Sequence, residues 1–256
     1  DVFGGARRAV QSAEAQAEIT RYQLEGAYLS LTANIVTTAI REAALRAQYQ
    51  SNLEIYQSQK NLADLIAKQL EIGTASRVDL TSQTALTASS QIDLLSIDKN
   101  LSFTRNQLAA YVGDFPGNAQ LAKFDLSKLH LPESIPLSVP SDLVRQRPDI
   151  QAAEAYMKST NALVGVATAN LLPQITLSGS TGSQALTTGA LFGPNAAIWS
   201  VAGGVFQPLF QGGALLAQRR GAIATYEAAV FQYQATVLNA FQEVANALQA
   251  LESDAL

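Results

Sequence analysis

His130 is the one histidine in the chain and there is no cysteine. A thiolate nucleophile, a disulfide and a thiolate metal site are therefore excluded, and a histidine general base has a single candidate. His130 sits in a proline-rich stretch with no carboxylate pair or second ligand beside it, the setting of a structural histidine and not of a metal ligand. The paired carboxylates, Asp93 with Asp98 and Glu14 with Glu18, read as solvated charges on helix faces. No phosphate-cradling glycine loop and no nucleophile elbow occurs. The residue types point away from an enzyme, and they call for no cofactor and no metal.

The elements that carry these residues are more informative. Between Ala6 and Ile72 there is no proline and one glycine, Gly26, and from Val78 to Val112 there is neither. The short break Gly73-Thr74-Ala75-Ser76-Arg77 joins two helical arms of roughly 100 and 50 Å at the usual rise per residue. Helices of such length persist by packing sideways on partner helices. In the second arm Leu94, Ile97, Leu101, Thr104, Leu108 and Tyr111 recur at alternating spacings of three and four, a heptad seam. The first arm repeats the spacing through Tyr28, Leu31, Ile35, Thr38, Glu42, Leu45, Tyr49, Asn52 and Tyr56, with polar interruptions. Such arms have one face on a neighbour and another on water, as in a wall around a wet interior. An ordinary amphipathic bundle or rod has the same periodicity, and periodicity leaves both readings open.

With 15% charged residues and a net charge of -4, the surface is polar more than ionic, and no basic stripe exists to displace counterions from a nucleic acid. No apolar run is long enough for a transmembrane helix, so a membrane would be crossed by strands. From Asp114 to Pro140, four prolines mark a loop-rich connector, extending to residue 147. A small-residue helix is expected over 148–172, with Pro148 at its first position, Asp149 in its first turn and Pro173 as its stop. From Gln174, Ile175, Leu177 and Gly179 alternate with Thr176, Ser178 and Ser180, and Trp199, Val201, Gly203 and Val205 alternate with small or polar residues. These are two strands within 174–210 around a loop over 183–197. Their thin apolar faces suit a transmembrane barrel, with Trp199 in an interfacial girdle. A soluble two-stranded ribbon with a local tryptophan core fits the pattern equally.

The opening Val2-Phe3-Gly4-Gly5-Ala6 before a long helix returns as Leu209-Phe210-Gln211-Gly212-Gly213-Ala214 before another. At an offset of 209, Ala13 meets Ala222, Glu18 meets Glu227, Gln23 meets Gln232 and Leu29 meets Leu238. The expectation is a tandem duplication whose second copy is cut at Leu256, in a fragment of a longer chain.

Several ordered motifs then resemble a known family. They are Arg147-Pro148-Asp149-Ile150-Gln151-Ala152-Ala153-Glu154, Leu172-Pro173-Gln174-Ile175, Gln207-Pro208-Leu209-Phe210-Gln211-Gly212-Gly213, Gly73-Thr74-Ala75-Ser76-Arg77-Val78-Asp79-Leu80 and Leu238-Asn239-Ala240-Phe241-Gln242-Glu243-Val244. Together they resemble the outer membrane factors of tripartite efflux pumps, OprM/NodT-like and more distantly TolC-like. The resemblance implies a mainly α fold with a small β part, built from long antiparallel hairpins of an α-barrel tunnel and transmembrane β-barrel strands, trimeric in the family. It assigns residues 1–5 to the end of a barrel strand, 6–113 to the first hairpin with its tip near 73–79, and 114–147 to an equatorial connector. It further assigns 148–172 to a returning helix, 174–210 to a barrel hairpin, and 212–256 to the first helix of a second hairpin.

The implied function is passive conduction across the outer membrane, with outer-membrane lipid, a periplasmic adaptor and an inner-membrane transporter as partners. The alternatives are the outlet of a type I protein secretion system or, outside the family, a structural coiled coil. The resemblance puts Gly73, Thr74, Ala75, Ser76 and Arg77 at the adaptor-docking tip and makes Asp79 a gating residue. A turn-forming role for the former and a helix-dipole role for Asp79 stand beside these. Arg147, Pro148, Asp149 and Glu154 carry the structural motif. Most members of the subgroup have a lipidated N-terminal cysteine, which this chain lacks, so lipidation stays open.

Overall fold

With one glycine and no proline to interrupt it, α1 runs from Gly5 to Glu71 as a single helix, and α2 follows over Arg77–Tyr111. The other helices are α3, Pro148–Ala169, and α4, Ala214–Asp254. Between them lie strands β1, Gln174–Ser183, and β2, Ala197–Phe206, paired antiparallel. The protein is thus mainly helical with one small sheet, seen in a computed structural model that describes residues 1–128 and 145–254. His130, Pro132, Pro136, Pro140 and the 129–144 part of the expected connector lie outside the described residues. The chain divides into two compact units, one of Asp1–Gly26 with Leu137–Leu256 and one of Ala27–Pro136.

In the second unit, α1 folds back as α2 through a turn that its sequence specifies. Gly73 takes a left-handed φ of 80°, which only glycine adopts without strain, and nothing lies within 4 Å of where a Cβ would project. Thr74 N–H then reaches back to Gln69 O at 2.8 Å and closes the carbonyl end of α1. Along the hairpin the heptad seam holds. Ile97, Thr104 and Leu108 are buried on α2, with Leu94, Leu101 and Tyr111 half-buried beside them. On α1 the seam is inward from Ile35 to Tyr56, but Tyr28 and Leu31 are exposed. The reason is length: α2 has 35 residues against the 67 of α1, so the early turns of α1 lie beyond its reach.

The hairpin core is unusually polar. Glu42 is 1% exposed, and its carboxylate is held by Arg46 one turn on and by Arg105 of α2 at 3.7 Å. Gln83 is buried too and donates to the Gln59 carbonyl at 3.2 Å and to its side chain. Thr87 Oγ1 donates to the same carbonyl at 3.2 Å.

In the first unit, the small residues of α3 allow close approach on two sides. Ser159 and Ser12 of α1 share a buried hydrogen bond of 2.9 Å, and a Cβ on Gly5 would come within 3.1 Å of Ala169 Cβ. On the other side Ile150 packs with Ala240 of α4, backed by Tyr233 and Val237. The helix stops at Ala169, three residues earlier than the sequence suggests. Leu171 and Leu172 close tight turns onto Thr168 O and Ala169 O, and Pro173 disfavours a helical conformation at Leu172. Strand β2 ends at Phe206, before Pro208, which has no N–H for a ladder.

Residues 1–4 form no strand, in contrast to the strand end expected over 1–5. The Asp1 carboxylate accepts from Arg7 N–H at 2.8 Å, and the segment instead leads directly into α1 at Gly5.

The two helix starts that the sequence pairs are alike in backbone. Gly4 and Gly213, 209 residues apart, share a φ of 81°. Each carbonyl accepts the first helical hydrogen bond at the same offset, from Arg8 N at 2.8 Å and from Ala217 N at 3.0 Å.

Candidate functional site

Three places hold the residues singled out from the sequence. The first is the hairpin tip. Ser76 caps α2: its hydroxyl accepts from Asp79 N–H at 3.1 Å, while its own N–H donates to Asp79 Oδ2 at 3.0 Å. The Ser76 hydroxyl also donates to Oδ2 at 2.7 Å. This reciprocal box satisfies two donors that a helix start otherwise leaves open. Asp79 thus lies exposed in the first turn of α2, where it closes a capping box that the sequence reading did not foresee. The Ser76 side-chain and backbone hydrogen bonds hold its carboxyl below the ordinary aspartate range. Because the folded value is lowered, the stabilisation is complete above the unfolded pKa and is lost as pH falls through the folded one. The cap is thus intact at neutral pH and fails only under strong acid. Replacing Ser76 by Ala is expected to lower amide-exchange protection in the first turn of α2 roughly fivefold at neutral pH, the usual scale of a lost cap. Unchanged protection would show the box to be idle.

The second place joins two motifs that are far apart in sequence. Arg147, just before α3, grips Asp149 with two nitrogens, Nε at 3.1 Å and an Nη at 2.9 Å. The same Nη reaches Glu243 of α4 at 2.6 Å. The Asp149 hydrogen bonds outweigh desolvation and push the guanidinium further above its ordinary value, and the Arg147 contact holds the Asp149 carboxyl low. Pro148 occupies the first helical position as expected, close to Gly26 of α1. Glu154 lies outside this cluster and pairs with Lys158 at 2.8 Å on the helix surface. The grouping ties α3 to α4 above the Ile150–Ala240 contact. It is a positioning device with no reactive group.

The third is the sheet. Its register sets Ile175 opposite Val205, Leu177 opposite Gly203, Gly179 opposite Val201 and Thr181 opposite Trp199, so all eight share one face. Thr176, Ser178, Ser180 and Gly182 share the other face with Gly204, Ala202, Ser200 and Ile198. Every residue of both strands is exposed, Leu177 by 81% and Trp199 by 78%. Among the described residues Trp199 packs into no local core, where the soluble-ribbon alternative placed it. An apolar face this bare needs a cover other than water.

Some signals were present in the sequence but missed. From Ser159 to Gln218 there is not one Asp, Glu, Lys, Arg or His, which sets the sheet and its flanks apart from the rest of the chain. Glu243 stood inside a recognised motif, yet no spacing rule links it to Arg147. The buried Glu42 could be found as a lone acid in an otherwise uncharged seam. Among the described residues no three His, Asp or Glu side chains gather as a metal site, and no described helix is long and apolar enough to cross a membrane.

Residues 139–255 match the family described as outer membrane efflux protein. The chain is 30% identical over 228 residues to the pyoverdine export outer membrane protein OpmQ of Pseudomonas putida, a match covering 89% of this chain and 48% of that protein. It is 28% identical over 221 residues to the fusaric acid resistance protein FusA of Burkholderia cepacia, covering 85% and 42%. It spans about half the length of the curated relatives it matches. Its structure is similar to that of the outer membrane protein VceC of Vibrio cholerae, with a TM-score of 0.80 at 27% identity over 98% of this chain and 60% of that one. By motif order, by fold and by these likenesses together, the chain belongs to the outer membrane efflux protein family.

Proposed function

We propose that this chain is part of a passive conduit in the bacterial outer membrane, the exit of a tripartite efflux system whose helical part stands in the periplasm. The observation that carries this reading is the sheet: two strands with one bare apolar face, inside a stretch of sequence without a single charge. Lipid is the cover that such a face fits, and closing the two open strand edges calls for further strands from the protein or its copies. The family resemblance supplies the arrangement: a trimer, four strands per protomer in a shared barrel, and helical hairpins around a wet tunnel. Conduction needs no bond to be made or broken, in keeping with the lack of catalytic groupings in the sequence. The names of the relatives, with pyoverdine export and fusaric acid resistance among them, support efflux over protein secretion.

The tip from Gly73 to Arg77 is the docking surface for a periplasmic adaptor that links the channel to an inner-membrane transporter. Its small residues and tight turn leave room for another helical hairpin. Asp79 beside it serves as the gating residue. Both of its contacts to Ser76 use Oδ2, which leaves Oδ1 for a partner.

A cysteine at Thr74 of the full-length protein tests this reading and leaves the Ser76–Asp79 box intact. Crosslinking in the cell envelope is expected to capture the adaptor from Thr74→Cys and not from Ser183→Cys at the end of β1. Equal capture from both positions, or none from the tip of a channel shown to be in the outer membrane, would refute tip docking.

A further inference from the structure

The two helices that begin beside the sheet break a rule that the other two obey. Helices α2 and α3 start with an aspartate in the first turn, Asp79 and Asp149, where the helix dipole favours negative charge. Helices α1 and α4 have no acid in the first turn, and each instead carries an arginine pair close to its start, Arg7-Arg8 and Arg219-Arg220. Apart from Asp1, the next acids along these helices are Glu14 and Glu227.

The structure brings both pairs to one end of the first unit. A Cβ on Gly165 would lie 2.8 Å from Arg8 Cγ, and Arg219 Nε donates to Thr168 Oγ1 at 3.2 Å, so the two arginines flank the last turns of α3. The negative end of α3 accounts for those two. It does not account for Arg7, whose charged partner is Asp1 at 3.7 Å, or for Arg220, which makes no ion pair among the described residues. Immediately next to them the surface turns apolar. Val2 and Phe3 share a shallow cavity with Pro173 and Ile175, and Leu209 and Phe210 are 92% and 89% exposed. Arg7 and Arg8 lie four and five residues past Phe3, about 6–8 Å at the helical rise, and Arg219 and Arg220 lie five and six residues into α4, which starts four residues past Phe210. A phospholipid headgroup layer is some 5–8 Å deep, and an arginine stem spans the difference.

We infer that Arg7, Arg8, Arg219 and Arg220 form a basic collar that binds the anionic phospholipid headgroups of the periplasmic leaflet and sets the depth at which the strands sit. The inference rests on the reading of the sheet as membrane-inserted. Charge selects the partner: a guanidinium cluster beside exposed Leu and Phe matches an acidic headgroup above acyl chains, and Asp1, paired with Arg7, is the one carboxylate near four guanidiniums, which leaves the cluster with a net positive charge.

The test uses the full-length protein inserted into bilayers of mixed phosphatidylethanolamine and phosphatidylglycerol, then extracted, with retained lipids counted by native mass spectrometry. Wild type is expected to enrich phosphatidylglycerol, Arg7→Gln with Arg220→Gln to lower the enrichment at least fivefold, and Arg7→Lys with Arg220→Lys to keep most of it. Equal retention of the two lipids by wild type, or full enrichment by the glutamine pair, would overturn the collar. Loss of enrichment on adding millimolar inorganic phosphate would do so as well, by assigning the site to a free anion. Heat-modifiable migration of the same samples separates the levels: a protein that inserts without lipid preference refutes the collar alone, and one that does not insert refutes the membrane reading with it.

Discussion

Replacing Arg46 and Arg105 together by Met is expected to open the α1–α2 hairpin locally, at a cost of about 3–5 kcal/mol, the range for stranding a buried charge. Glu42 is 1% exposed, and one of its oxygens already lacks a hydrogen bond, so removal of both guanidiniums leaves a carboxylate with neither water nor countercharge. The reverse change is expected to be mild. In Glu42→Met the arginines, each about a third exposed, turn their heads to solvent, and the cost stays within about 1 kcal/mol. Hydrogen exchange of the full-length protein reads both. Protection over 34–50 and 97–110 should fall by about two to four orders of magnitude in the double arginine variant and little in Glu42→Met. Equal effects of the two variants would mean that the cluster acts through packing and not through the buried charge.

A second large effect is expected on the sheet. Val201 lies midway along β2 on the apolar face, and Ala202 lies beside it on the small, polar face. If the apolar face meets lipid, Val201→Arg puts a guanidinium near the bilayer midplane, at a cost of about 2–4 kcal/mol. On the same premise Ala202→Arg points away from lipid and should be tolerated. The ratio of heat-modifiable, folded protein to unfolded protein in bilayers of defined thickness measures the difference. Loss of folding for Val201→Arg alone is the expected result. Equal folding of both variants would remove lipid from the apolar face, and loss in Ala202→Arg alone would mean that the faces are reversed.

The helices and turns of this protein were legible because their signals are local. Absence of proline over long stretches, Gly73 at the turn, Pro148 with Asp149 at a helix start and the alternation in the strands, broken at Ile198 and Phe206, each act within a few residues. The likeness of the two helix starts was legible for the same reason, since Gly4 and Gly213 do the same backbone task just before α1 and α4. Errors fell at element ends. Three residues at the end of α3 and the first residues of the chain took conformations set by the hydrogen bonds available to them. The exposed Tyr28 and Leu31 show a further limit: a heptad pattern states which side of a helix is apolar, and not whether a partner extends that far.

The sequence by itself determined the mainly helical character, the hairpin and its tip, the two strands with opposite faces and the family. What the tertiary structure decided was pairing across distance. The meeting of Arg147 with Glu243, the burial of Glu42 between Arg46 and Arg105, the exposure of the Trp199 face and the placing of Arg8 and Arg219 against the end of α3 all depend on which elements pack together. A lone charge in a sequence has no assigned partner. Desolvation and Coulomb attraction act through space, so its role is defined only when packing has brought the partner, or left the solvent, within reach.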